Sequence, residues 1–343
     1  MNQESYPTIC RRQGLTVVDT PGKAIGLELP PQADEHHSMD RNSWLLQSST
    51  NEDRILELGP SYSPVAPKSQ GWRSSVVDHA SQADLRLKYA RLGVDVSAIE
   101  DVDHVWDQGP LHRAVPPEHG GTFALLIASH VIEHLPNPIA FFNSASHLLG
   151  PKGTIALAIP DVRHCFDFFR PLSTTGDLLE AFHGDHTRHT TRNIWNQTAY
   201  SVLRNGAGVW GEEAIPRLSL TSSVAAAEEV CAAYKSESSN SYMDCHAWQF
   251  TPSRFQLIML ELGQLGLVEW SIDDLKTNGA EFLCTVRRGV EKLSQDVLQR
   301  ERLMWLYRGL AEFRVQIDQT LEDAIFSATE SKWGALSMLR RLR

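Results

Sequence analysis

The sequence predicts an α/β fold built on a mainly parallel sheet, and three observations carry that prediction. From Arg54 onward the chain breaks into short apolar runs, RILELG, SSVVDHA, VDHVW, FALLIASH and TIALAIPD, separated by helical and loop stretches. FALLIAS and TIALAIP are apolar without alternation, as strands covered on both faces are. Between them, NPIAFFNSASHLLGPKG sets Ile139, Phe142, Ala145 and Leu149 on one helical stripe and then stops at Gly150, Pro151 and Gly153, so the three segments form a strand, helix, strand unit.

The organisation follows from changes of texture. Residues 1–53 are rich in Pro, Ser, Gln, Asp and Glu and read as a leader packing on a domain, with little chemistry of its own. Residues 54–163 carry the first part of the sheet. Over 164–249 the strand pattern lapses into a segment rich in His, Arg, Thr and Ser, read as an inserted polar cap over a site. The pattern resumes over 250–290, where a helix in FTPSRFQLIMLELGQLG precedes two strands joined by the turn KTNGA, an antiparallel closing pair. Residues 291–343 form a helical, coiled-coil-like extension, with Leu303, Leu306, Leu310, Phe313, Ile317, Leu321 and Ala324 at three- and four-residue spacing. That stripe suits either packing on its own domain or a homodimer seam. Arg340, Arg341 and Arg343 read as a solvated basic tail at the helix end.

Composition bounds the function. The 343 residues, 42% hydrophobic and 22% charged, are ample for a sizeable core, which excludes disordered, collagen-like and mini-protein classes. A net charge of −10 repels phosphate backbones, and without a local basic patch no nucleic-acid partner is expected. The five cysteines are scattered and never spaced as CxxC, which fits a reducing cytoplasm better than a disulfide framework or thiolate zinc site. The N-terminus lacks an apolar core, and no run approaches the roughly 20 apolar residues of a membrane span. A cytoplasmic protein is the expectation.

In open α/β sheets ligands sit beyond the carboxyl ends of the strands, so the residues after each apolar run come first. After RILEL comes GPSYSP, where a glycine turn lets backbone approach a ligand. Asp78 closes the next strand and can accept both hydroxyls of a ribose.

The order LELGPSYSP, VVDHA, VDHVW, FALLIASHVIEHLPNP, LLGPKGTIALAIPD resembles that of class I S-adenosylmethionine-dependent methyltransferases, notably the bacterial small-molecule and sugar-type branch. The match runs from Arg54 to Asp161 and returns at Phe250 to Arg288. The resemblance implies a Rossmann-like sheet with a reversed last strand and S-adenosylmethionine as cofactor. By position it places Glu57, Gly59 and Ser61 under the methionine part, Asp78 on the ribose, Asp103 near the adenine amine, and Ser129 with His130 at the methionine and substrate side. The family's ExGxGxG is here Glu57, Leu58, Gly59, Pro60, Ser61, Tyr62, Ser63, so only its first glycine is present. Pro60 can preset the turn, and serine is the least intrusive replacement beside a ligand.

The reading is methyl transfer to an oxygen, or less readily a nitrogen, of a small-molecule or glycan-like acceptor. A hydroxyl acceptor needs a proton acceptor, and His130 or His164 oriented by Asp161 is the expected base. Asp167 lies in the same stretch. In the cap, His183, His186 and Arg188 are expected substrate contacts, with His246 and Trp248 returning beside the site and Trp248 stacking on the acceptor or sulfonium. The string HVIEH, residues 130–134, matches the HxxEH of zinc hydrolases. No separate third ligand is identifiable in it, so Glu133 and His134 are read as part of the active-site wall. His183, Asp185, His186 and His189 could also ligate a divalent ion, but no metal is the primary expectation. The rival readings are a catalytically silent scaffold that keeps the fold and an NAD-dependent oxidoreductase. Against the latter, GxGxxG is missing and the reversed strand pair goes unexplained.

Overall fold

The computed structural model describes residues 40–107, 109–211, 218–236 and 243–330, with side chains as far as residue 314. The elements that build the sheet are β1 (Arg54–Leu58), β2 (Arg73–Asp78), β3 (His104–Val105), β4 (Phe123–Ser129), β5 (Leu149–Pro160), β8 (Trp270–Asn278) and β9 (Glu281–Arg288). Their order is β3-β2-β1-β4-β5-β9-β8. The first five run parallel, β9 lies antiparallel to β5, and β8 antiparallel to β9. β8 therefore runs with the first five strands and β9 alone is reversed, the mainly parallel sheet with an antiparallel last strand that the sequence predicts. The strand order reverses between β1 and β4, so the crevice at their carboxyl ends is the natural place for a ligand.

Both faces of the sheet are covered, which is why β4 and β5 read as unbroken apolar runs. On one face Leu56, Leu126, Ala128, Leu157 and Ile159 pack against α3 (Pro138–Leu148) and α7 (Pro252–Leu265) through Ile139, Phe142, Phe255 and Ile258. On the other, Ile55, Leu125, Ile127, Ala156 and Leu283 meet Trp44, Leu45 and Leu46 of α1 (Arg41–Leu46). Each large side chain so buried contributes about 1.5–3 kcal/mol. Residues 41–46 of the leader are therefore part of the core, and residues 1–39 lie outside the described residues.

Local chemistry sets the helix ends. Asn137 accepts the Ala140 N–H at 3.1 Å with Pro138 in the first turn of α3, and Thr251 caps α7, which closes on left-handed Gly266. α2 (Gln82–Ala90) starts on Ser81, whose hydroxyl accepts from Asp84. Between β5 and α7 the chain forms α4 (Thr175–His183), α5 (Thr191–Tyr200), the strand pair β6 (Val202–Arg204) and β7 (Leu218–Leu220), and α6 (Val224–Ser236). Reciprocal capping boxes, Thr174 with Asp177 and Thr190 with Asn193, start α4 and α5.

The last helix, α8 (Gln295–Glu330), docks through buried Trp305 and through Glu312, whose Oε1 accepts from the backbone and hydroxyl of Ser253. Leu303, Leu306 and Leu310 of the predicted stripe face away, 53%, 40% and 70% exposed. The packing face is thus centred on Trp305, two residues out of phase with Leu303. Stripe members from Ile317 onward, and the basic tail, lie outside the described side chains.

Candidate functional site

The turn after β1 is held in an uncommon conformation. Gly59 has φ +61° and Ser61 φ +49°, both left-handed. A Cβ on Gly59 would approach Val131 Cγ2 to 3.1 Å, so this turn lies directly on the loop after β4. The Gly59 N–H donates to Val77 O at 2.8 Å, and the Ser61 hydroxyl accepts from Tyr89 at 2.9 Å. Glu57, 1% exposed, turns back into the fold and accepts the N–H groups of Val65 and Ala66 at 2.6 and 3.0 Å. Burial lifts its pKa to about 7 against the pull of those two amides.

Asp78 ends β2 beside this turn and is 2% exposed. Its Oδ1 takes the backbone N–H of His79 and lies against the His79 ring Nδ1, each at 2.7 Å, while buried Oδ2 has no hydrogen-bond partner among the described residues. Trp106 follows β3 at the same edge and donates its N–H to Asp78 O.

After β4 a chain of charges begins. Arg41 donates to Ser129 Oγ at 2.6 Å and to Glu281 at 2.7 and 3.1 Å. His130, at φ +53°, sets Nε2 at 2.8 Å from Glu281 and Nδ1 at 3.5 Å from Glu133. Burial disfavours the imidazolium, but the two carboxylates outweigh it and raise the His130 pKa to about 9. Glu281 is correspondingly held at about 2: burial opposes its charge, and His130 and Arg41 overcome that.

Among the described residues Glu133, 1% exposed, has no hydrogen bond to either carboxylate oxygen. His134 Nε2 is 3.7 Å from it, and His134 Nδ1 lies 2.8 Å from Asp244. His246 completes the group. Its Nδ1 sits 2.6 Å from Asp167, which also accepts from Arg170 at 2.5 Å. The N–H groups of Ala247 and Trp248 donate to Glu133 O, stitching this segment onto the loop after β4.

The placement of the predicted residues is uneven. Gly59, Ser61, Asp78, Ser129 and His130 gather along the carboxyl edge of the sheet. Glu57 faces away from that edge and holds the following loop. Asp103 stands opposite Val76, two residues before the end of β2; its Oδ2 accepts from Val76 N and pairs with Lys68 Nζ, both at 2.7 Å. Val105 and Trp106, not Asp103, reach the carboxyl edge beside Asp78.

Of the predicted bases, His130 lies between two carboxylates that raise its pKa to about 9 and so favour its protonated form. Asp161 meets His164 through the backbone, its carbonyl oxygen accepting the His164 N–H at 2.9 Å. Its carboxylate is taken by the guanidinium of Arg163 at 2.9 and 2.5 Å, and His164 is buried, 4% exposed.

In the cap, His183 is exposed and His186 half-buried. Arg188 stacks on Tyr234 at 4.2 Å and donates to its hydroxyl, so it is tied down within the cap. Trp248 belongs to the core, with its indole N–H donating to Leu135 O at 2.5 Å. Sequence reasoning missed Arg41 and Glu281, which carry no motif and meet only across the fold.

A family model described as a methyltransferase domain matches residues 32–209, more than half of the chain. No curated protein matches. Among solved structures the chain is similar to a SAM-dependent methyltransferase from Methanosarcina mazei, at 12% identity over 74% of this chain and 100% of that one, with a TM-score of 0.37. A protein described as a zinc-dependent alcohol dehydrogenase from Rhodobacter sphaeroides matches at 12% identity, over 72% and 88%, with a TM-score of 0.40. The DhpI protein in complex with SAH matches at 13%, over 73% and 84%, with a TM-score of 0.34.

Proposed function

The chain belongs to the methyltransferase-domain family, and from that premise we propose that it moves a methyl group from S-adenosylmethionine to an oxygen of a small-molecule or glycan-like acceptor. One observation carries the donor site: the buried, unpartnered Oδ2 of Asp78 beside the left-handed turn at Gly59 and Ser61. A buried carboxylate oxygen without a partner is costly, and the two hydroxyls of a ribose would satisfy it. The residues present therefore fit the donor.

When bound, the donor supplies an electrophilic methyl group on a sulfonium. Asp78 holds the ribose, and the turn brings backbone close to the methionine end, with Glu57 holding that turn from behind. Ser129 and His130 border the acceptor side. Fixing the acceptor in line with the methyl supplies much of the rate. As the acceptor oxygen bonds to the methyl and the sulfonium–methyl bond breaks, the hydroxyl proton passes to His164 or to the neutral form of His130, which is the minor form at neutral pH because Glu281 and Glu133 raise its pKa to about 9.

An oxygen acceptor is supported by the polarity of the wall after β4, where Ser129, His130, Glu133 and Glu281 stand together. The described cysteines, Cys165, Cys231, Cys245 and Cys284, are buried and free, which supports a reducing cytoplasmic setting. A second copy of the chain is the proposed partner for the outward stripe of α8. Among the described residues no helix is long and apolar enough to cross a membrane.

The test is calorimetric titration with S-adenosylhomocysteine, with NAD in a parallel cell. Micromolar binding of the first and none of the second is expected. Binding of NAD alone would make the chain an oxidoreductase, and binding of neither would leave a silent scaffold.

A further inference from the structure

We infer that Glu133, His134 and His246 form a binding site for one divalent metal ion, with zinc the best match. Each offers a ligand atom, and these atoms lie within 4.8 Å of one another. Three further observations point to a ligand there.

Glu133 is almost wholly buried, and among the described residues neither of its oxygens makes a hydrogen bond; its neighbours are the imidazoles of His130 at 3.5 Å and His134 at 3.7 Å. A charge so placed is costly unless paired or ligating a metal. His246 Nδ1 is hydrogen-bonded to Asp167 at 2.6 Å, while His134 Nδ1 lies 2.8 Å from Asp244 as an ion-pair contact without hydrogen-bond geometry. The carboxylate–histidine bond fixes the His246 ring and leaves its Nε2 as the ligating atom, the usual outer support of a metal centre, and His134 already sets Nε2 3.7 Å from Glu133. The rings meet edge to face at 4.5 Å, and the Ala247 and Trp248 amides on Glu133 O hold His246 beside Glu133. The arrangement is braced from outside: Arg170 pairs with Asp167 and donates to His246 O.

The donor set narrows the ion. Two imidazoles and one carboxylate suit zinc, whereas magnesium and calcium prefer oxygen alone. Three protein ligands leave a position for water. The set also differs from the one HVIEH suggests. Those residues fold into a short 3-10 turn, Ile132–His134, which turns His130 toward Glu281 and lets Glu133 itself join His134. The third ligand arrives from the segment before α7. His183, Asp185 and His186 of the cap are not in the group.

The rival account has no ion: the surrounding imidazoles neutralise Glu133 as a closed charge network. Metal uptake separates the two. The full chain, stripped with a chelator and dialysed, is titrated with Zn²⁺ and separately with Co²⁺, followed by elemental analysis and visible absorption. One equivalent should bind, with the visible bands of a low-coordinate Co²⁺ site and release of protons. His246→Ala and Glu133→Gln should abolish the bands, while Asp167→Asn should weaken uptake by roughly 10–100-fold. His112→Ala, outside the cluster, should leave uptake unchanged. Near-ultraviolet circular dichroism checks that each variant is folded. No stoichiometric uptake by the wild type, or uptake indifferent to His246→Ala in a folded variant, would overturn the inference. The site stands apart from the methyl-donor reading, because S-adenosylhomocysteine binding reports on Asp78 and Gly59 alone.

Discussion

Asp78 Oδ1 receives both the backbone N–H and the ring nitrogen of His79, and Asp78 Oδ2 receives nothing though it is buried at the edge of the sheet. One oxygen therefore fixes the carboxylate and the other is left without a hydrogen bond among the described residues. A side chain locked this way needs no reordering when a diol arrives, so its hydrogen bonds appear almost fully as affinity.

Asp78→Ala should accordingly weaken S-adenosylhomocysteine binding by roughly 1.5–3 kcal/mol, the worth of hydrogen bonds to a charged group. That is about 10–150-fold in Kd, read by calorimetry. The fold should survive, since the substitution also removes a buried charge. Equal affinity in the variant would remove Asp78 from the ribose site.

The sheet was legible because burial on both faces leaves an unambiguous mark, and FALLIAS and TIALAIP carry it. Asp78 was legible for a related reason: a strand end in a parallel sheet has a known position relative to the crevice. Glu57 shows where this stops. Its motif position suggests a ligand contact, but whether the carboxylate points outward depends on the return of Val65 and Ala66, whose free amides claim it. Arg41 and Glu281 meet across 240 residues, and no local periodicity encodes such a pair. His246 is similar. Its partners Asp167 and Glu133 come from separate loops, so the spacing within HVIEH could not reveal the third member.

The outward stripe of α8 gives a prediction of assembly. Leu303, Leu306 and Leu310 stand exposed at three- and four-residue spacing while Trp305 holds the helix to its own domain. An identical helix offers the complementary stripe, as in a coiled-coil seam. Sedimentation should show a dimer in the wild type and a monomer in a Leu306→Glu, Leu310→Glu variant, with S-adenosylhomocysteine affinity unchanged in both. A wild type that sediments as a monomer at every concentration would assign the stripe to solvent.

Glu57 ties stability to pH. In the unfolded chain its carboxyl titrates near 4.5, and burial raises this to about 7 in the fold. Between these values the folded chain holds a proton that the unfolded chain has lost. The stabilisation is therefore complete below pH 4.5, declines as pH rises through that window, and is gone above 7. The change from this group alone is roughly 3 kcal/mol at 1.36 kcal/mol per pH unit. Glu57→Gln keeps a carbonyl oxygen for one of the two loop amides but removes the proton, so its denaturation midpoints at pH 4.5, 5.5, 6.5 and 7.5 should fall less steeply than those of the wild type. Parallel profiles would show that the Val65 and Ala66 amides keep the carboxyl ionised throughout, and that it holds the loop as an anion.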